Sequence, residues 1–438
     1  MPEILNIIYF FLIFIIIFSF PFNELTLSHV IKVKNLNLNF FDFQSLNIIF
    51  FCYIMLMISF FNLDLKFVYY FYLLISLFFL LKFNIKIINL KKIESKKYIF
   101  FFSVITISIF FYIAHNLKLE WDGHHWLEKV VFFYNENKIE NFYKLKIHPE
   151  YPHLGSYIWA LFWKNSFINH EYVGRLFFIY FYIVSIFSLT NFLDKELEKF
   201  KILIILFLII ITFEPYLFGG YQDYLLFSIL VIASRLIFIL DFKKINFQLL
   251  SLIILSLGLL MWFKDEGLFY FLIFSLLLII NIKSNINYKL MYFLVIFSIL
   301  LFNYLIQKYL MGVYELPSGT AEESFIEIKK IIFNFELFFV KSYKILLHMM
   351  IASIKYLSWI LIAFSVLLFF YKKKLNDKII FLTQCLIFNL LFLYTSFMTF
   401  RAIDYMLTVA LDRLLFQTSG FYLILFILVL NKMKLNYK

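Results

Sequence analysis

Four stretches of this chain set ionisable residues at the margins of apolar runs, where they cost about 2.5 to 3.5 kcal/mol each if driven to a bilayer centre. The first is Glu120-Trp121-Asp122-Gly123-His124-His125-Trp126, with Lys129 one turn further on. A carboxylate flanked by tryptophans at an interface is partly desolvated and suits a general base. The same Asp122 also suits the N-cap of the helix that follows. His124 and His125 are adjacent and do not readily share one metal from a regular helix, so no metal or other cofactor is expected, although a divalent ion remains compatible with the carboxylates. The second stretch, His148-Pro149-Glu150-Tyr151-Pro152-His153, has two prolines that fix an extended turn. It puts His148 and Glu150 at alternate positions, where both can face one cavity, or it is simply a rigid loop.

The third is a hairpin, Glu214-Pro215-Tyr216 followed by Gly219-Gly220-Tyr221-Gln222-Asp223, in which Asp223 is a ligand-facing acid or an N-cap. Close in kind is Lys264-Asp265-Glu266-Gly267. Successive helical residues point about 100° apart, so Lys264 and Glu266 meet one ligand only if the helix breaks near Gly267. The fourth runs from Arg401 to Gln417. On a helix, Arg401, Asp404, Tyr405, Thr408 and Asp412 share a face, and Arg413 stands about 100° from Asp412. The chain has only four arginines, and two of them are here. Arginine suits bidentate phosphate recognition; internal ion pairing, Arg401 to Asp404 and Arg413 to Asp412 or Gln417, is the alternative.

The elements that must hold these residues are apolar helices. Hydrophobic residues make up 63% of the 438, charged residues 16%, and the mean hydropathy is +0.87. Soluble domains carry roughly 25% charged residues, so a soluble enzyme, a disordered chain and a disulfide scaffold are excluded. Cys52 and Cys385 lie inside apolar runs and read as small hydrophobes. The expected fold is an all-α polytopic membrane bundle in one domain spanning 1–438. About thirteen crossings are expected, near 5–21, 46–62, 67–83, 98–115, 172–193, 202–218, 221–240, 247–263, 267–282, 288–306, 351–371, 379–399 and 419–431. The run 154–163 is too short to cross and is expected to be juxtamembrane or re-entrant.

The net charge of +12 sorts by side. Alternate connections (82–97, 194–201, 235–246, 283–289, 372–378 and 432–438) carry 21 Lys/Arg and 6 Asp/Glu in 57 residues. The opposite set (116–175, 214–223, 264–266, 307–350 and 400–418) carries 15 Lys/Arg and 18 Asp/Glu in 136 residues. By the positive-inside rule the first set, with the C-terminus, is cytoplasmic. The excess charge is thus an orientation signal and nucleic acid is not an expected partner. Residues 1–97 sort less cleanly, and no cleaved leader is expected there. The two large outer segments are 116–171 and 307–350, the latter with an interfacial helix or a packed loop helix over Phe325 to Met350.

All four polar stretches fall on the predicted outer face. Their order resembles bacterial integral-membrane glycosyltransferases of the GT-C fold, similar to the protein mannosyltransferase and lipid A aminoarabinose transferase superfamily. The residues that carry the resemblance are Trp121-Asp122 with Trp126 and Lys129; His148 to Pro152; Gly220 to Asp223; Lys264 to Gly267; and Leu411-Asp412-Arg413-Leu414-Leu415. They cover about two-thirds of the chain. The resemblance implies inverting transfer of a sugar from a polyprenyl-phosphate carrier to a glycan, lipid or protein acceptor, at the outer face of the cytoplasmic membrane. It assigns Asp122 the base. Lys264, Arg401 and above all Arg413 are the cations for the leaving phosphate. Departures are Gly123 where relatives often have a second acid, Asp265 where Asn is expected, and no following carbohydrate-binding domain.

Two other classes make different demands. A transporter or flippase of lipid-linked glycans places charge near the midplane on broken helices, whereas the central runs here are nearly uncharged. A purely structural assembly protein has no need of clustered outward acids and arginines.

Overall fold

The computed structural model describes residues 2–23, 26, 38–84, 93–116, 118–146, 149, 151–307, 319–353, 355–370 and 377–435. It is 83% helical, with no strand among the described residues. This is the expected outcome for so apolar a chain, because a helix satisfies its backbone polar groups internally where no water can.

The first half comprises α1 (Pro2–Ile17), α2 (Phe40–Ser59), α3 (Leu65–Phe79), α4 (Ile93–Asn116), α5 (Trp121–Tyr134), α6 (Leu154–Lys164), α7 (Tyr172–Leu189), α8 (Lys201–Thr212) and α9 (Asp223–Ile239). The second comprises α10 (Phe247–Gly258), α11 (Leu260–Phe263), α12 (Glu266–Asn281), α13 (Ile286–Leu305), α14 (Gly319–Phe333), α15 (Phe335–Ser353), α16 (Leu357–Phe370), α17 (Asp377–Met398), α18 (Ile403–Tyr422) and α19 (Ile424–Leu435).

Six helices are long and apolar enough to span a membrane, or eight if each of two bent pairs is one span. The difference from about thirteen lies in runs that form helices of 12 to 17 residues, such as α1, α8, α9 and α12. Several apolar runs are also broken. The run 247–263 divides after Gly258, and α18 and α19 bend by 44° at Leu423. The crossing expected at 351–371 is α16, which meets α15 at 76°.

The spine of the bundle is α7, α9 and α18, with α9 packed most extensively on the other two. Every side chain of α7 is buried. Close approach of α9 and α18 requires Gly420, since a Cβ there would stand 2.6 Å from the Phe227 carbonyl oxygen. A glycine at such a crossing lets backbones meet and flanking rings stack, here Phe227 on Phe416 at 4.8 Å. The short helix α6 is likewise a core element, buried from Leu154 to Phe162 and wedged between α5 and α7.

The Phe325 to Met350 stretch is not one helix. Asn334 separates α14 from α15, its side chain accepting from the Leu337 amide at 3.0 Å. Lys341 of α15 is buried; it donates to Glu327 of α14 at 3.0 Å and to the Phe400 carbonyl at 2.8 Å, tying both helices to the end of α17. Phe333, Phe335, Phe339, Tyr343 and Met350 remain exposed, an apolar face suited to lipid.

Candidate active site

The site begins with Asp223, the first residue of α9. The sequence allowed it to be an N-cap, but Gln222 holds that position. The Asp223 carboxylate is fully buried and turned to other elements. Its Oδ1 accepts from Lys264 Nζ at 3.3 Å and from Gln417 Nε2, while Oδ2 accepts from Arg413 Nη2 at 3.2 Å. Two segments distant in sequence therefore close on one acid. The N-terminus of α9 adds its own positive partial charge.

Lys264 reaches Asp223 because the chain breaks there. Between α11 and α12 its backbone is extended (φ −152°, ψ 155°). At Gly267 a Cβ would lie 2.0 Å from the Leu260 carbonyl oxygen, so α12 doubles back tightly on α11. The break needed for Lys264 and Glu266 to face one ligand thus exists, three residues before Gly267; their charged ends are 3.7 Å apart.

Arg413 lies over the Tyr221 ring, with its guanidinium carbon 4.3 Å from the centroid. Asp412 is exposed and does not pair with Asp223's cations; the charges of Lys355 and Glu214 are those that bear on it. Glu214 is buried, accepting from Tyr356 Oη at 2.9 Å and pairing with Lys355 Nζ at 2.6 Å. Tyr216 is within electrostatic reach of both groups. Burial first, then the Glu214, Asp223 and Asp412 carboxylates, push its phenol well above the ordinary value, so it stays a proton donor at neutral pH.

A cleft of about 360 Å³ opens over this arrangement. It is lined by Trp126, Tyr151, Tyr221, Lys264, Asp265, Glu266, Tyr405, Met406, Val409, Ala410 and Arg413. Its chemistry is mixed: aromatic faces, rim carboxylates and two cations that share a buried anion. Aromatic faces suit the C–H faces of a sugar, carboxylates accept from its hydroxyls, and Arg and Lys suit phosphate.

Backbone packing brings the start of α5 to the same place. The Glu120 amide donates to the Gly219 carbonyl at 2.9 Å, and a Cβ on Gly123 would lie 2.0 Å from that oxygen. Gly220 has φ +103°, a conformation glycine tolerates. Gly123 is therefore what lets α5 meet the hairpin. Glu120, not Asp122, holds the N-cap position, so the capping role expected as an alternative for Asp122 is not realised. Asp122 is the second residue of α5, one turn before the cleft-lining Trp126. The side chains of Trp121 and Asp122 lie outside the described residues, as do His148 and Glu150 entirely.

Two calculations of face and pairing from the sequence are corrected. Arg401 does not join Asp223; it lines a separate cleft with Lys344 and Asp404, and Asp404 pairs with Lys344 at 2.8 Å rather than with Arg401. Arg413 pairs with Asp223, not with Asp412.

The supporting shell contains residues whose role had no signal in spacing. Arg175, 1% exposed, donates to the Phe218 carbonyl at 2.8 Å and to Glu171 at 2.6 Å, fixing the hairpin onto α7. Lys129 donates to the Tyr151 carbonyl at 2.9 Å amid the rings of Trp126, Phe142 and Tyr151. His153 shares a hydrogen bond of 2.8 Å with Ser59. Burial, with Lys129 nearby, pushes its imidazole down to about 3, so it is neutral at any physiological pH and acts as a packing residue. Among the described residues no group of three or more His, Cys, Asp or Glu is placed to hold a metal ion. No protein-family model, curated protein or solved structure matches this chain.

Proposed function

We propose that this chain is an inverting membrane glycosyltransferase of GT-C type, moving a sugar from a polyprenyl-phosphate carrier to a cell-envelope glycan, lipid or protein. The observation that carries the reading is the meeting of Asp223, Lys264 and Arg413, from three distant segments, beneath a cleft lined by aromatic rings and carboxylates. In this reading the shorter apolar helices complete about thirteen crossings of the cytoplasmic membrane. The Lys-rich connections and the C-terminus are then cytoplasmic, and the cleft is extracytoplasmic.

The acceptor hydroxyl gives its proton to the Asp122 carboxylate as its oxygen bonds to the anomeric carbon. The bond from that carbon to the carrier phosphate breaks with its electron pair, leaving a phosphate monoester. Arg413 and Lys264 meet the growing negative charge. Asp223 orients both cations and keeps them from collapsing elsewhere, while Glu266 and the ring of Trp126 bear on the sugar. Trp121, His148 and Glu150 belong to acceptor binding.

Proteoliposomes are given radiolabelled polyprenyl-phosphate sugars and envelope acceptors. Asp122→Asn is expected to lower transfer by about 10² to 10⁴, the usual worth of a positioned base. Arg413→Lys should lower it about tenfold or more, because the planar fork and its stacking on Tyr221 are lost. Full transfer by Asp122→Asn removes that residue from the base role. Absence of transfer by the wild type, with labelled lipid appearing in the opposite leaflet, replaces the enzyme with a flippase.

A further inference from the structure

A second cleft, of about 370 Å³, lies beside the first; Leu337, Val340, Lys341, Lys344, Arg401 and Tyr405 are among its walls. Tyr405 lines both clefts, so they are neighbours separated by one ring. The cations of this second cleft are not equivalent. Lys341 is fully engaged, with Glu327 and with the Met398 and Phe400 carbonyls. Lys344 is paired with Asp404, but both side chains are partly open. Arg401 is exposed and, among the described residues, has no carboxylate within ion-pair distance.

The surroundings of Arg401 are not those of an ordinary solvated arginine. It stands in the turn between α17 and α18, at the end of a membrane-length helix. On the walls of the same cleft α15 exposes Val340 and α18 exposes Tyr405, while Phe339 and Tyr343 are exposed further round α15. A guanidinium at a helix end beside apolar side chains that water would not cover is the setting of a lipid headgroup contact.

We infer that this cleft binds one anionic bilayer phospholipid, with its phosphate on Arg401 and Lys344 and its acyl chains along the exposed side chains of α15. Arg401 supplies a two-pronged contact and Lys344 a point charge. Lys341 positions the turn by holding the last carbonyls of α17. The carboxylate of Asp404 accepts from a hydroxylated headgroup, which favours phosphatidylglycerol over phosphatidylcholine. The site is separate from the Asp223 cleft and holds whether or not that cleft transfers a sugar.

The test uses the full-length protein, delipidated in detergent and given equal amounts of phosphatidylglycerol and phosphatidylcholine, with bound lipid read by native mass spectrometry. Phosphatidylglycerol is expected to be retained preferentially. Arg401→Gln should reduce that retention about tenfold, the effect of losing one charge-assisted phosphate contact, and Arg401→Lys should reduce it less. Equal retention of the two lipids overturns the inference, as does unchanged retention in Arg401→Gln. Displacement of the lipid by millimolar inorganic phosphate also overturns it, since the site would then take free phosphate. A lower thermal midpoint together with equal loss in both variants assigns Arg401 to folding and overturns it as well.

Discussion

The two ends of α9 hold buried carboxylates in opposite ways. At the first residue, Asp223 is surrounded by Lys264, Arg413 and Gln417 below an open cleft. Twelve residues on, about 18 Å away along the axis, Arg235 pairs with Asp42 of α2 at 3.5 Å. There the acid is already committed. Asp42 accepts from Ser188 Oγ at 2.6 Å, from Asn191 Nδ2 at 3.0 Å and from the Asn39 amide at 3.0 Å, the last as half of a capping box. Arg235 rests on the Phe192 ring, 4.8 Å from its centroid. One acid, one cation and a closed set of neutral donors make a staple between helices. One acid with two cations, both lining a cleft, makes a place where an incoming anion can be exchanged for an internal one. Burial alone does not distinguish the two, since Asp42 and Asp223 are both buried.

The largest effect should come from breaking the acid at each end. Asp223→Asn takes from the buried Lys264 and the half-buried Arg413 the carboxylate they share, which costs about 3 to 5 kcal/mol. Asp42→Asn keeps an acceptor for Ser188 or Asn39 and strands one cation that still has an aromatic face, so about 1 to 3 kcal/mol is expected. Thermal unfolding in nanodiscs, followed by tryptophan fluorescence, gives the order. Equal midpoints for the two variants would mean that the Asp223 cations are relieved by solvent through the cleft, and that the contrast drawn between the ends is wrong.

Part of this contrast was legible in the sequence. Asp223, Lys264, Glu266 and Arg413 stand out because charge is rare in so apolar a chain, and helices follow from composition. The Asp42 to Arg235 pair was not legible, since its members are far apart in sequence and neither has a charged neighbour to mark it. The helix periodicity that grouped Arg401 with Asp412 fails because Arg401 stands in the turn before α18 and not on the helix. A shared face of α18 passes two separate clefts, and only Tyr405 belongs to both. A count of crossings from hydropathy likewise takes no account of backbone breaks. A hydropathy run does not register the extended Lys264 or the divide after Gly258, yet these breaks are what bring a lysine onto Asp223.

A second, smaller effect sharpens the comparison by removing whole pairs. Replacing a buried ion pair by apolar residues of similar volume is often close to neutral. The Asp42→Asn, Arg235→Met double variant should therefore unfold within about 1 kcal/mol of the wild type. Asp223→Asn with Lys264→Met should remain destabilised by about 2 kcal/mol or more, because the half-buried Arg413 then faces a neutral side chain where it had a carboxylate. The measurement is the double-mutant cycle at each end, each single variant included. If both doubles return to wild-type stability, Arg413 is not held by Asp223 in the way the geometry implies. The two ends are then alike.

The smallest effect concerns a third ion pair, outside the spine, that tests whether the α14 and α15 layer behaves as a staple or as a responsive surface. Glu327 sits between Lys330 at 2.7 Å and Lys341 at 3.0 Å. Lys330 foremost, and Lys341 with it, hold its carboxyl below the ordinary value against the opposing effect of burial. A depressed carboxylate pKa contributes stability that is fully present above the unfolded value, about 4.5, and is lost as pH falls through the lower folded value. Hydrogen exchange of α14 should therefore accelerate below about pH 4.5 while that of α7 stays slow. Glu327→Gln should remove most of that pH dependence, leaving α14 more mobile at neutral pH by about 1 kcal/mol, since the buried Lys341 loses its carboxylate but keeps the Met398 and Phe400 carbonyls. If α7 and α14 lose protection together, the layer is continuous with the spine and Lys341 transmits its loosening inward. If α14 loosens alone, the Glu327 pair resembles the Asp42 staple in being local, and the Asp223 cluster remains the one charged group among the three whose disruption reaches the cleft.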